Sequence, residues 1–341
     1  MSNKTLIIAE AGVNHNGDFQ MAKELIKVAA EAGADVVKFQ TFSADKLVSQ
    51  YAELAQYQKE NSTGKESNQY EMLKRLELPY DWHFKLKKYS EELGILFCST
   101  PFDDEALDFL CQVGIPFIKI PSGEITNKPF LQRIASKRKR VILSTGMASL
   151  DEVIAAAEVL KKEGLPQVDL TVLHCNTEYP TPLKDVNLRA MLQFKDVLGV
   201  KYGYSDHTTG FEVAVAAVAL GASVIEKHFT LDTNLPGPDH KASLTPIELK
   251  NFVQAIRNTE SIIAGSGIKE PSISESKNKF IARKSIHVKK NILEGHYLSM
   301  DDLEMKRPGD GISPMDINLV LHKKLVRKLL AGEQLKWEDL E

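Results

Sequence analysis

Cysteine is scarce in this chain: Cys98, Cys111 and Cys175 are the only three in 341 residues, an odd number with no C-x-x-C pair. That excludes a disulfide framework and a cysteine-built zinc knuckle, and the thiols are expected to be free and packed as small hydrophobes. No apolar run is long enough to span a bilayer. The amino terminus enters its first apolar run without a charged and then hydrophobic leader, so a cytoplasmic protein with no membrane contact is expected. An excess of charge is lacking as well, since 43 Lys and Arg against 46 Asp and Glu leave a net −3 and no global field for nucleic acid. Neither a Walker loop nor a G-x-G-x-x-G motif occurs, which leaves nucleotide binding unsupported. An anionic ligand would have to be held by cations gathered locally.

What the sequence does have is rhythm. Eight short, β-branched-rich apolar runs fall at Thr5–Gly12, Val36–Phe42, Gly94–Phe102, Phe117–Glu124, Arg140–Met147, Leu170–Thr177, Val200–His207 and Val224–Thr230. Each ends in polar or charged residues and is followed by a helix-like stretch. Near-continuous apolar character marks strands buried on both faces, and alternation with helices implies right-handed parallel crossovers. Eight such units close most economically as a (β/α)₈ barrel, with all the strand ends converging on one rim. Asp18 is placed to cap the first helix and Gly33 to end it. Ser149 with Glu152 and Thr245 with Glu248 form capping boxes, the second strengthened by Pro246.

Two departures from the rhythm stand out. Between the second and third runs, Ser43–Pro79 is nearly twice the usual spacing and contains a polar patch, Asn61–Gln69, which is expected to form a rim excursion acting as a lid or substrate wall or as a passive loop. After Gly265, the Ser- and Lys-rich stretch 266–282 is expected to be a linker between a barrel domain, 1–265, and a small second domain, 283–341. Within that tail, L-x-G-x-x-L-x-x-x-D-L-E occurs twice, from Leu293 to Glu304 and from Leu330 to Glu341, implying a pseudo-symmetric unit.

The strand ends carry the candidate chemistry. His207 and His228 close the seventh and eighth runs, which are neighbours in a closed barrel, so the two imidazoles could share a divalent metal or be ordinary hydrogen-bonded rim histidines. Lys38 and Lys119, with Thr100, Ser122, Ser144, Asn176 and Ser205, would form a ring of cations and neutral donors suited to a phosphate and a carboxylate. Either lysine could instead form a Schiff base. Glu10, Glu124 and Glu226 are candidates for proton transfer, or for salt bridges to those lysines. Asp239 sits in the stiff P-G-P-D-H loop after the last run, and Arg307 in the K-R-P-G loop of the tail.

Taken in order, the segments Ile8–Gly17, Val37–Thr41, Ser99–Phe102, Lys119–Glu124, Leu143–Met147, Leu173–Pro180, Ser205–His207, Glu226–Phe229 and Lys306–Gly309 resemble signatures of the sialic acid synthase family over essentially the whole chain. The tail is similar to the antifreeze-like (SAF, β-clip) domain of those enzymes. The resemblance implies metal-dependent condensation of phosphoenolpyruvate with an N-acyl mannosamine-type sugar and water, giving a nonulosonic acid and phosphate. N-acetylmannosamine is the first acceptor to consider and 2,4-diacetamido-2,4,6-trideoxymannose, the N,N'-diacetyllegionaminate precursor, the second. An aldolase and a non-catalytic carbohydrate-binding protein remain as rivals. By the same resemblance, His207 and His228 would hold the metal, manganese first with magnesium or cobalt as alternatives. Lys38, Thr100, Lys119, Ser122, Ser144, Asn176 and Ser205 would bind phosphoenolpyruvate, while Gln40, Tyr179, Asp239 and Glu124 would face the sugar. Glu10, then Glu124, would move the proton. Arg307 would reach the sugar site of a second subunit in a domain-swapped homodimer.

Overall fold

The computed structural model describes residues 4–54 and 68–341. The chain divides into two compact units, Met1–Gly265 and Ser266–Glu341.

In the first unit eight parallel strands run β1 Leu6–Gly12, β2 Val36–Thr41, β3 Leu96–Pro101, β4 Ile118–Ile120, β5 Val141–Ser144, β6 Leu170–Cys175, β7 Lys201–Asp206 and β8 Val224–His228. Their hydrogen-bonded order is β3-β2-β1-β8-β7-β6-β5-β4. β3 packs on β4, where Cys98 Sγ lies 3.6 Å from the Phe117 carbonyl, and the ring closes as the expected (β/α)₈ barrel. Apolar residues pointing outward from the strands pack against the crossover helices. Ile7, Ala9 and Val37, for example, meet Leu25, Ile26 and Ala29 of the first helix, all fully buried.

The expected helix signals act locally. Asp18 accepts from Gln20 N and Met21 N at the start of helix Phe19–Glu31. Both capping boxes form, at helices Leu150–Lys162 and Pro246–Ile263. The sixth crossover differs from expectation: between β6 and β7 lie only single turns, Leu183–Asp185, Leu188–Met191 and a wide π turn, Phe194–Leu198. Pro180 and Pro182 remove two amide donors just before them, and Asn187 adopts φ +43°, so no continuous helical ladder develops. β4 is also shorter than its apolar run, because Pro121 ends it and Ser122–Glu124 fold into a 3₁₀ turn.

Much of the polar patch in the long excursion, residues 61–67, lies outside the described residues. Its far side is helix Gln69–Leu76, whose Met72 and Leu76 bury against Val13 and Phe42 at the barrel rim. Among the described residues, no helix is long and apolar enough to cross a membrane.

The second unit begins with helix Ile273–Ala282, exposed along its length, within the stretch expected to be linker. Strands β9 Ser285–Val288 and β10 Leu303–Lys306 pair antiparallel. The repeat is visible as hydrogen bonds that recur under a shift of 37 positions, the distance from Leu293 to Leu330. Ile292 N donates to Leu329 O, and Leu329 N donates to Ile292 O. Gly295 N→Leu325 O is matched by Gly332 N→Val288 O, and Leu298 N→Lys323 O by Leu335 N→Ile286 O. The matched pairs Val288 and Leu325, Ile292 and Leu329, and Leu298 and Leu335 fill one core.

Candidate active site

A cavity of about 650 Å³ opens at the carboxyl ends of the strands. A larger one, about 1040 Å³, opens at the opposite mouth, but its lining includes strand starts such as Leu6, Val141 and Val224 and neither histidine of the rim pair. In barrels of this kind chemistry sits at the carboxyl-end face. We therefore take the smaller cavity as the site.

Its floor is a chain of buried charges. Lys38 Nζ on β2 lies 2.6 Å from Glu10 Oε2 on β1 and 3.6 Å from Glu226 Oε2 on β8. Lys119 Nζ on β4 lies 3.7 Å from Glu226 Oε1. Lys38 donates to Thr100 Oγ1 (3.0 Å), Lys119 to Ser144 Oγ (2.7 Å), Ser205 Oγ to Glu226 Oε1 (3.1 Å) and Gln40 Nε2 to Glu10 Oε1 (3.3 Å). All four charged groups are at most 6% exposed. Glu226 Oε2 has no hydrogen-bond partner, so the cluster has spare capacity.

Burial and pairing split the two carboxylates. Burial, helped by the negative charge of Glu226 and opposed by Lys38, raises Glu10 from 4.5 to about 7. Burial would raise Glu226 as well, but Lys119 and Lys38 outweigh it and hold it at about 2. Burial depresses Lys119, while Glu10 and Glu226 overcome burial and raise Lys38. One carboxyl is thus poised to carry a proton near neutral pH, beside another that stays ionised.

Above the floor, His207 and His228 place their ring centroids 5.4 Å apart, and Tyr179 stacks on His207 at 4.1 Å. Burial lowers His207 to about 4 and His228 well below the ordinary value, so both imidazoles are neutral and offer lone pairs. His207 Nδ1 is hydrogen-bonded to the Asn176 carbonyl at 2.5 Å, which leaves Nε2 for another partner. His228 Nδ1 is buried without a hydrogen bond, 3.8 Å from Asp239 Oδ2, and burial raises that carboxyl to about 6. Two neutral imidazoles, one with an orphaned nitrogen, fit a divalent ion whose remaining ligands are water or substrate oxygens. No group of three or more His, Cys, Asp or Glu with metal-binding geometry occurs among the described residues. Gly12 adopts φ +52° in the irregular end of β1, a backbone conformation that favours glycine, close to Gln40 Nε2 and His228 Cε1.

Glu10, Lys38, Gln40, Thr100, Lys119, Ser122, Ser144, Tyr179, Ser205, His207 and His228 all line the cavity. Glu124 does not: the 3₁₀ turn after Pro121 leaves its carboxylate accepting from Asn127 Nδ2 at 2.6 Å. Asn176 also lies outside the lining, its side-chain oxygen accepting from Glu178 N while its carbonyl takes His207. Asp239 also lies outside the lining, its Oδ2 3.8 Å from His228 Nδ1. Arg307, in the second unit, is exposed, and its Nε donates to Ala282 O at 2.9 Å. Glu226, first read only as one acid among three, proves central, since barrel closure sets it between both lysines. Gln69, Phe102 and Met147 join the lining as further wall residues. For Gln69 the sole signal was its place in the long excursion.

Comparison with known proteins agrees with this geometry. The NeuB family model matches residues 25–269 and the SAF domain model matches 283–341. The chain is 50% identical to N,N'-diacetyllegionaminic acid synthase of Legionella pneumophila, over 98% of this chain and 94% of the relative. It is 52% identical to the enzyme of the same name from Campylobacter jejuni, over 98% and 99%. The crystal structure of an N-acetylneuraminic acid synthetase from Leptospira borgpetersenii with citrate superposes with a TM-score of 0.70 at 36% identity, covering 81% of this chain and 90% of that one. The chain belongs to the NeuB family and carries a SAF domain at its carboxyl end.

Proposed function

We propose that this protein condenses phosphoenolpyruvate with 2,4-diacetamido-2,4,6-trideoxymannose and water to form N,N'-diacetyllegionaminate and phosphate. The observation that carries the reaction class is the buried floor of Lys38 and Lys119, ringed by Thr100, Ser122, Ser144 and Ser205, beside two neutral imidazoles. Two ammonium groups and several hydroxyls match the phosphate and carboxylate of phosphoenolpyruvate. The ligand's phosphate and carboxylate would also displace Glu226 as partner of the lysines.

His207 and His228 would hold a divalent ion, manganese first, which when bound would supply Lewis-acid polarisation of the acceptor's aldehyde. The enol carbon of phosphoenolpyruvate forms a bond to the aldehyde carbon. Glu10, protonated near neutrality, gives its proton to the aldehyde oxygen and takes one back from the water that adds to the enolpyruvyl carbon. The resulting tetrahedral centre loses phosphate by carbon–oxygen cleavage, and its hydroxyl proton leaves with the phosphate. Tyr179 and Gln40 face the space left for the sugar. Arg307 is assigned to the sugar site of a second subunit.

The acceptor choice rests on two supports. The relatives at 50% and 52% identity carry the legionaminate name, whereas the sialic acid synthetase stands at 36%. The wall residue Phe102 is apolar and would suit a 6-deoxy methyl better than a hydroxymethyl. N-acetylmannosamine is thereby second.

Phosphate release from phosphoenolpyruvate, measured against both sugars with and without manganese, tests this directly. Metal-dependent release with the diacetamido sugar, and kcat/KM at least tenfold lower with N-acetylmannosamine, is expected, since one misfitted group costs about 1–3 kcal/mol. Equal rates would overturn the acceptor assignment. Borohydride trapping of substrate on Lys119, the lysine depressed by burial, would overturn the reaction class.

A further inference from the structure

β7 and β8 meet in three successive rungs at the site. Ser205 pairs with Glu226 and Asp206 with Lys227, and the next step brings His207 beside His228. Alternation sends the first and third rungs into the cavity and the middle one outward, between the strands and the helical layer. That outward rung is an ion pair, Asp206 Oδ2 to Lys227 Nζ at 3.0 Å, with both side chains 0% exposed.

Its placement solves a problem particular to His207. β7 ends at Asp206, so the ladder no longer fixes the residue that follows. Asp206 Oδ1 accepts from Thr208 N (2.9 Å) and Thr208 Oγ1 (2.7 Å), and Lys227 Nζ donates to the Thr208 carbonyl. The residues on both sides of His207 are thereby clamped to one buried pair, and the cationic member of that pair directly precedes His228. A fully buried ion pair contributes little net stability compared with apolar side chains of the same size. Its use here is therefore geometric.

We propose that Asp206 and Lys227 form a positioning pair that holds His207 beside His228 for their shared ligand. The proposal rests on the metal reading given above for those two imidazoles. It assigns to the pair no contact with substrate or metal.

The test replaces the pair by apolar side chains, Asp206→Leu with Lys227→Met, and titrates the metal-free protein with Mn²⁺ by electron paramagnetic resonance. Losing the pair leaves the buried Thr208 amide, hydroxyl and carbonyl without partners, so the variant is expected to melt at a lower temperature with its fold retained. Its Mn²⁺ affinity should fall about 10- to 100-fold, as when partners behind metal-ligating histidines are removed. Phosphoenolpyruvate binding without metal, which uses the floor lysines, should be unchanged. Unaltered Mn²⁺ affinity in the folded variant overturns the proposal. Should the double variant fail to fold, Thr208→Val, which removes one hydroxyl bond to Asp206, takes its place with a smaller loss expected, and unchanged affinity again overturns the proposal. His207→Ala serves as control. If wild type takes up no Mn²⁺, or His207→Ala binds it equally well, the metal reading fails instead. A crystal structure of a pair variant then decides alone: rings still 5.4 Å apart overturn the positioning role, and rings moved apart uphold it.

Discussion

Asp302 in the SAF unit and Glu10 in the barrel are both hidden from solvent, 1% and 2% exposed, but Asp302 lies just beneath the surface and Glu10 deep in the barrel, and their ionisation is driven in opposite directions. Asp302 Oδ2 accepts from Ser299 N, Ser299 Oγ and His296 Nε2, and its Oδ1 pairs with Lys290 at 2.8 Å. Burial would raise it, but these donors outweigh burial and hold it well below the ordinary range. Glu10 has one weak donor in Gln40 and a lysine that it shares with Glu226, and burial raises it to about 7. Depth and the number of donors left to spare together separate a structural from a working buried charge in this molecule. Saturation fixes one state, and its lack allows two.

Breaking the unsaturated side has the largest effect. Glu10→Gln should lower kcat about 10²- to 10⁴-fold with the fold intact, and abolish the limb of the pH–rate profile near 7, as steady-state phosphate release would show. The stability consequence has the opposite sign. A carboxyl raised in the folded state stabilises fully below its unfolded value of 4.5 and loses that contribution as pH rises through about 7. Thermal melts across that window should therefore show the variant gaining on wild type as pH rises.

Breaking the saturated side should cost stability instead. Asp302→Ala removes the capping-box bonds to the Ser299 amide and hydroxyl, at about 1–2 kcal/mol by denaturant unfolding of the second unit. Asp302 is depressed in the folded state, so its contribution is present above 3.8 and lost as pH falls below that value. The gap between wild type and variant should close in acid.

Arg307 sharpens the contrast from within the second unit. It is exposed, with one bond from Nε to the Ala282 carbonyl, whereas Arg327 nearby pairs with both Asp339 and Glu333. Arg307→Ala should raise the KM for the acceptor about tenfold, the worth of one charge-assisted bond, and leave that for phosphoenolpyruvate unchanged. Mixing it with Glu10→Ala protein should restore turnover if the arginine acts across subunits.

The barrel was legible from the sequence because buried strands write their apolar runs directly and helix caps are local signals. Glu124 shows where that reading ends. Strand alternation was carried through Pro121, but the missing amide stops β4 and the turn that follows sends the carboxylate to Asn127. Glu226 shows a second limit, since its bridging position depends on strands far apart in sequence coming into register. Asn176 shows a third: its carbonyl, common to every residue type, touches His207, and no side-chain motif announces that. The pair behind the histidines was likewise hidden, because an outward Asp and Lys give no periodic sign of being enclosed.

The reciprocal bonds between Ile292 and Leu329 mean that each half of the SAF unit supplies what the other half needs. Such an arrangement is a two-fold dimer written on one polypeptide, the form expected when a self-associating segment is duplicated and fused. Cutting the chain between the copies should leave fragments that find each other again, and the shared seam lets either copy drift in sequence while its twin preserves the template.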